Sequence, residues 1–302
     1  MFIYILYILA VFITIYFVLK KKKIEEALTL AINDNNGVIK YSENDKTTSL
    51  YDSSDSAKKF KKVITSGKDH LWALDGSGKP WHRTLMSSWV KQEKSGVTFK
   101  DLTADNNHVW GLSGRPGDYK VYKRPVNNSG DWIDEGIKNK KFIQMSASGK
   151  GWIWAVDKDN FVWKKAKGGA NWTKDGGGTI KQVSGGEKFI FALTSGSGSV
   201  ENKLYKKNID GTGSWNYLSK KLNYVSGASN TYLWGIDTTG KVVRAVKPVN
   251  SGSIWEEVPH GTGETFKYIS GGNIQDTRIA GITPPSAAAN NTAAGTTTTG
   301  TT

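Results

Sequence analysis

Cysteine is absent from the 302 residues, which removes disulfides, thiolate metal sites and a cysteine nucleophile. Histidine occurs four times and methionine three, which argues against a multi-histidine zinc site and against a helical core filled by flexible side chains. Acidic residues are scarce as well: 27 stand against 41 Lys and Arg, a net charge of +14. That surplus suggests an anionic partner surface such as membrane, nucleic acid, phosphate or acidic glycan. What abounds is Gly, at 34, and Trp, at 12. Turn-formers and large rings together point to many short strands.

One long apolar run, Phe2 to Leu19, closes on Lys20, Lys21, Lys22 and Lys23. As a helix it would be about 27 Å long and able to cross a bilayer. It lacks the positive leader and small-residue cleavage site of a signal peptide, so it reads as an uncleaved anchor. Its flanking charge lies on the C-terminal side, which puts residue 20 onward in the cytosol, with the four lysines able to touch anionic head groups. Sequons at Asn127, Asn171 and Asn290 matter only in the opposite orientation.

The body is a repeat array. An apolar strand recurs around Trp72, Trp110, Trp154, Phe191 and Trp234, at steps of 38, 44, 37 and 43 residues. A later series, Trp89, Trp132, Trp172, Trp215 and Trp255, steps by 43, 40, 43 and 40. Each later Trp is followed by a lead-in strand: FKDLTA at 99, FIQMSASG at 142, IKQVSGG at 180, LNYVSGA at 222 and FKYISGG at 266. A period near 40 with several short β-rich runs matches a propeller blade. The residue after each anchor is tiny (Ala73, Gly111, Ala155, Ala192, Gly235), which predicts close approach to a neighbouring backbone. Asp75, Asp157 and Asp237 then precede Gly78, Asn160 and Gly240 by three residues, the signature of a tight hairpin.

The ends of the array complement each other. After FKYISGG, Arg278–Thr283 matches an anchor strand with Ala280 in the Trp place, and the array stops half a blade short. Leu30–Asn33, Gly37–Lys40 and Leu50 read as the missing outer half. Five whole units, 60 to 265, flanked by these fragments predict a sixth blade closed by strand exchange, which removes exposed sheet edges. The predicted organisation is therefore all-β: an anchor over 1–23, a six-bladed propeller over 24–283, and a low-complexity Thr/Ala-rich tail over 284–302 that cannot bury a core.

The lead-in I/V-S-G-G, the run L-W-G-I-D-x-x-G at 233–240, a short aromatic-basic strand and a late Trp together resemble the tectonin β-propeller repeat of tectonins, tachylectin-type lectins and fish-egg lectins. The resemblance covers roughly residues 28 to 283. It implies a six-bladed propeller without catalytic residues, which in several members recognises sugars or lipopolysaccharide. This chain departs from the pattern at Leu50, Phe191 and Ala280 and in its N-terminal anchor.

The place after the second-hairpin aromatic holds Lys40, His82, Lys123, Lys164, Lys206 and Arg244, one basic or imidazole group per blade. A ring of them would gather an anionic ligand; the same residues also serve as edge protection and solubility. His70 and His108 occupy slots that are aromatic in other units (Trp152, Phe189, Tyr232), which favours packing over ligation. The late Trp series suits both sugar stacking and blade wedging. Asp131, Asp134, Glu135, Glu256 and Glu257 neighbour late Trps without the spacing of a general acid–base pair. No phosphate loop or nucleophile elbow is present. These features predict a non-enzymatic recognition or scaffold module, monomeric by itself, with no cofactor and no metal. Its partners would be the lipid bilayer through residues 2–19 and an anionic glycan, lipopolysaccharide or protein surface, without specific nucleic acid. The competing reading is a structural protein of a large DNA virus particle, bridging internal membrane and capsid.

Overall fold

The computed structural model describes the backbone of residues 29–33, 39–43 and 46–49, and residues 60–271 apart from 67–69, 85–86, 115–118, 136–139, 149, 167, 178, 228–231, 247–248 and 259–264. The expected anchor at 2–19, its lysine flank, Leu50, Arg278–Thr283 and the tail lie outside these residues. Among the described residues, no helix is long and apolar enough to cross a membrane.

The chain begins with β1 (Thr29–Asn33), β2 (Ile39–Glu43) and β3 (Lys46–Ser49). Blade 1 follows as β4 (Phe60–Ser66), β5 (His70–Asp75), β6 (Pro80–Thr84) and β7 (Val90–Lys91). Blade 2 is β8 (Phe99–Ala104), β9 (His108–Ser113), β10 (Val121–Pro125) and β11 (Ile133–Asp134). Blade 3 is β12 (Phe142–Ala147), β13 (Ile153–Asp157), β14 (Phe161–Lys165) and β15 (Thr173–Gly177). Blade 4 is β16 (Ile180–Gly185), β17 (Phe189–Thr194), β18 (Lys203–Asn208) and β19 (Asn216–Lys221). Blade 5 is β20 (Tyr224–Ser226), β21 (Tyr232–Ile236), β22 (Val242–Val246) and β23 (Trp255–Glu257), and β24 (Phe266–Gly271) ends the array.

These strands make an all-β propeller in which each of five blades is an antiparallel sheet of four consecutive strands. Five blades are thus made wholly of contiguous chain, where the sequence predicted a six-bladed ring that counts a mixed one. A further four-stranded sheet, in the order β24-β1-β2-β3, draws on both ends of the array. Its composition differs from the expectation: β1 takes the second-strand place assigned to Arg278–Thr283, pairing Leu30 with Ser270 and Ala31 with Ile269 on one side and Ala31 with Lys40 on the other. Thr29–Asn33 has the apolar run and turn-forming terminus of a second strand, and its short link to β2 sets it antiparallel to both neighbours. β24 packs against β20 and β21 of blade 5 and against β4 of blade 1.

Hairpin chemistry follows the predicted Asp signature. Asp157 accepts N–H bonds from Asp159 (2.9 Å) and Phe161 (3.0 Å) and the indole N–H of Trp163 (2.7 Å). Asp75 does the same for Lys79 and Trp81. The turns close through positive φ at Gly78, Asn160 and Gly240. Lead-in strands share a bulge, between Phe60 and Lys62, Phe99 and Asp101, Phe142 and Gln144, and Ile180 and Gln182. The extra residue increases twist and re-aims the next side chain.

The core sits between blades. Trp72 and Leu74 of blade 1 pack with Phe99, Leu102 and Trp132 of blade 2; Trp110 and Leu112 pack with Phe142 and Met145; Trp154 and Val156 with Ile180 and Ile190; Phe191 and Leu193 with Leu222 and Val225. Trp234 and Ile236 meet Phe266 and Ile269 of the mixed sheet. Each anchor thus faces the next blade. The tiny residue behind it clears space mainly for a lead-in side chain: a Cβ on Gly111 would strike the Phe99 ring, and one on Gly235 would lie 2.6 Å from Leu222 Cδ1 and 3.2 Å from the Tyr224 backbone oxygen. Late indoles wedge the same seams, with Trp132 4.7 Å from Phe99 and 5.9 Å from Trp72 between ring centroids.

Candidate functional site

Strand register makes the six predicted basic positions equivalent. Each stands directly opposite its blade's anchor: His82 opposite Trp72, Lys123 opposite Trp110, Lys164 opposite Trp154, Lys206 opposite Phe191, Arg244 opposite Trp234 and Lys40 opposite Ala31. In the five contiguous blades these groups are engaged locally. Lys123 Nζ lies 2.5 Å from Glu135 and Lys164 Nζ 3.0 Å from Asp175. Lys206 donates to the Val249 carbonyl of blade 5 at 2.5 Å, and Arg244 to Glu256 at 3.3 Å. His82 shares a 3.0 Å nitrogen–nitrogen hydrogen bond with His70, and its ring lies 4.8 Å from that of Trp72 at a tilt of 48°. Lys123, Lys164 and Lys206 lie 5.7, 5.7 and 4.7 Å from the rings of Trp110, Trp154 and Phe189, and Lys123, Lys164 and Arg244 each meet a carboxylate that satisfies part of their field.

The carboxylates are placed by the late Trp. Three residues beyond it come Gln92, Glu135 and Asp175 in blades 1 to 3, and Leu218 and Val258 in blades 4 and 5. Glu135 binds Lys123 of its own blade and Lys165 of blade 3 (3.2 Å). Asp175 repeats the bracket with Lys164 and with Lys207 of blade 4 (2.8 Å). Gln92 accepts from Arg124 of blade 2 at 3.3 Å. Burial acts to raise the Glu135 carboxyl, but hydrogen bonds from Lys123 and Lys165 outweigh it and hold the carboxyl below the ordinary range. Where the bracket residue is Leu218 or Val258, the side chain is buried and packs instead.

One seam is open. The loops after the third strands of blades 2, 4 and 5 each turn a buried aliphatic residue inward: Val126, Ile209 and Val249. The carbonyls of Val126 and Ile209 accept the indole N–H groups of Trp72 and Trp154, both at 3.0 Å. The blade 3 loop reads Ala166-Lys167-Gly168-Gly169 and carries no aliphatic plug. Between blades 2 and 3 lies a cleft of about 350 Å³, lined by Trp110, by Lys123, Glu135 and Lys165, and by the segment Asp105–His108. Trp110 turns its N–H to Asp105 Oδ2 (3.2 Å), whose Oδ1 accepts the backbone N–H of Asn107 and of His108 (both 2.7 Å). Indole, carboxylate, ammonium and amide groups converge there. The missing plug was readable in the sequence by aligning loops rather than strands.

A second feature lies on the axis. The third residue of each lead-in is Lys62, Asp101, Gln144, Gln182, Tyr224 or Tyr268. Lys62 bonds Asp101, whose Oδ2 accepts the Met145 N–H at 2.8 Å. Gln144 spans to the Val183 carbonyl and N–H (3.0 and 2.9 Å), and Gln182 to those of Val225 (2.9 and 3.3 Å). Tyr224 meets Tyr268 at 4.6 Å between centroids, and Lys62 lies 5.3 Å from the Tyr268 ring. Burial acts to lower the Lys62 pKa, and Asp101 beside it prevails, leaving it above the ordinary value. The polar ring thus ties every inner strand to the next. Among the described residues, no group of three His, Asp or Glu side chains could hold a metal ion.

No protein-family model matches the chain, and no curated protein matches it. Among solved structures it is similar to a chain in the complex of Kap60 with yeast RCC1 (Prp20), at 10% identity over 78% of this chain and 74% of that one, with a TM-score of 0.52. It is also similar to streptogramin B lyase, at 11% identity over 80% of this chain and 85% of that one, with a TM-score of 0.53. At these identities the likeness supports the propeller fold.

Proposed function

We propose that this chain is a non-enzymatic recognition module: a closed propeller of six blades, the mixed sheet serving as the sixth, held at a membrane by residues 2–19. Its ligand is a sugar unit of a glycan or lipopolysaccharide, seated in the cleft between blades 2 and 3. The observation that carries this reading is the unplugged seam itself, which joins an indole to carboxylates, ammonium groups and amides in about 350 Å³. A sugar presents an apolar face to the indole and hydroxyls that both donate and accept, which suits such a mixed wall. In this reading Lys123 contributes by orienting Glu135, while Lys164 and Lys206 bridge to the next blade through the Asp210 and Val249 carbonyls.

A glycan array probed with the full chain in detergent, followed by titration of the strongest hit, tests the site. Glu135→Gln is expected to weaken binding about tenfold, the loss of one charge-assisted hydrogen bond of roughly 1.5 kcal/mol. Equal affinity in the variant, or an empty array, counts against the cleft. Removing residues 1–23 is expected to release a soluble monomer that keeps the same ligand.

A further inference from the structure

The inner strands carry a second repeated polar group beside the axial ring. Thr103, Ser146, Ser184, Ser226 and Ser270 occupy one place in the lead-in motif, and blade 1 has Ile64 there. Four of these hydroxyl oxygens serve the next sheet. Thr103 accepts the Ala147 N–H (2.8 Å), Ser146 that of Gly185 (2.8 Å), Ser184 that of Gly227 (3.0 Å) and Ser270 that of Thr65 (3.4 Å). A hydroxyl has one proton to give and two lone pairs. In these four residues a lone pair is used, while among the described residues no acceptor takes the proton.

Three of the four, Thr103, Ser146 and Ser270, are more than nine-tenths buried. All four line one axial cavity of about 60 Å³, together with Lys62. The carboxylate that pairs with Lys62 is not part of that lining; Asp101 turns to Lys62 and the Met145 N–H. The cavity wall is therefore rich in donors. Buried donors require partners. An anion accepts several hydrogen bonds at once and brings no proton of its own.

We propose that the axial channel binds one small monovalent anion of the chloride type, held by the hydroxyl protons of Thr103, Ser146, Ser184 and Ser270. The cavity volume leaves room for a bare ion and about one water at ~30 Å³ each, which selects against hydrated polyvalent anions. Bound there, the ion joins four sheets at their inner edges and stiffens the ring where the blades meet. The site is separate from the inter-blade cleft and does not depend on what that cleft takes.

The test is chloride-35 line broadening on the full chain in detergent, titrated at constant ionic strength, with bromide as competitor. Saturable broadening displaced by bromide is expected. Ser146→Ala should weaken chloride at least tenfold. Because that change also removes the acceptor of the Gly185 N–H and could unsettle the fold, Ile64→Thr gives an independent arm. It supplies the hydroxyl that blade 1 lacks and should tighten chloride several-fold. Broadening that never saturates, or saturable binding unaltered in both variants, overturns the proposal. So does a bromide-soaked crystal with no anomalous peak on the axis.

Discussion

His82 stands where four other blades place lysine or arginine, and its neighbours account for the exchange. Arg124 reaches across from blade 2 and lies over the face of Trp72, 5.5 Å from the ring centroid, so a second full charge opposite Trp72 would crowd it. Burial first, then His70 and Arg124, push the His82 imidazole down to about 4. Its folded value lies below that of the unfolded chain, near 6.5. Between those two values the unfolded state binds more protons, so the native state is favoured above about pH 6.5 and loses stability as pH falls toward 4. At ~1.4 kcal/mol per unit the loss reaches about 3 kcal/mol at most. The melting temperature of the full chain should therefore drop from pH 6.5 to 4.5, and His82→Gln, which still hydrogen-bonds toward His70, should flatten that drop. Identical slopes in the two proteins would place the acid sensitivity elsewhere. The sequence reading of His70 and His108 as packing groups missed this pair, because equivalence of His70 to aromatic residues said nothing about the second imidazole across the hairpin.

At the level of the element, strands were more legible than loops. Anchor and tiny residue recur at fixed offsets because they meet the same neighbours in every blade, the turn-forming Asp recurs in blades 1, 3 and 5, and the anchor strands are apolar and buried on both faces. The mixed sheet was half legible: the terminal fragments were recognised, but a second-strand signature occurs twice, in Thr29–Asn33 and in Arg278–Thr283, and the sequence reading gave the place to the latter where the structure has the former. Basic residues were found at the right register, yet their partners three residues beyond the late Trp went unseen, since Gln92, Glu135, Asp175, Leu218 and Val258 share a position without sharing a chemistry. The cleft was invisible to any search for repeated residues because it is made by an omission in one loop. That suggests a loop exchange. Replacing residues 166–171 with the blade 4 segment 208–214 brings in Ile209, which is buried in its own seam, and should close the blade 2–3 seam. Burying one isoleucine stabilises by about 1.5–3 kcal/mol, so urea denaturation should shift to higher concentration while sugar binding is lost. A more stable protein that keeps its ligand would separate the ligand from this cleft.

For the whole molecule the question is what holds a ring of sheets together when each buries its apolar faces only against its neighbours. Seams between successive blades are zipped by chain order, but the seam that closes the ring joins residues more than two hundred positions apart, as in the pairing of Leu30 with Ser270 and the contact of Ser270 with Thr65. Without β1 to β3, the single strand β24 would be left against blade 5 with its outer edge unpaired and the face of blade 1 uncovered. Unpaired edges recruit other chains, and the entropy of closing so long a loop is recovered only when the last sheet forms. Deleting residues 24–59 while keeping residues 1–23 should therefore cost far more than its share of the chain. The expected product aggregates in detergent and loses the single cooperative transition, whereas adding residues 24–59 as a separate peptide should restore a monodisperse protein with β1 paired to β24. Deleting 284–302 is the matched control, since that segment is too polar and small-sided to build a core, and it should leave the transition unchanged. A monodisperse, cooperatively melting protein after the first deletion would mean that blades 1 to 5 close without the mixed sheet, and the ring would then have to be redrawn with five members.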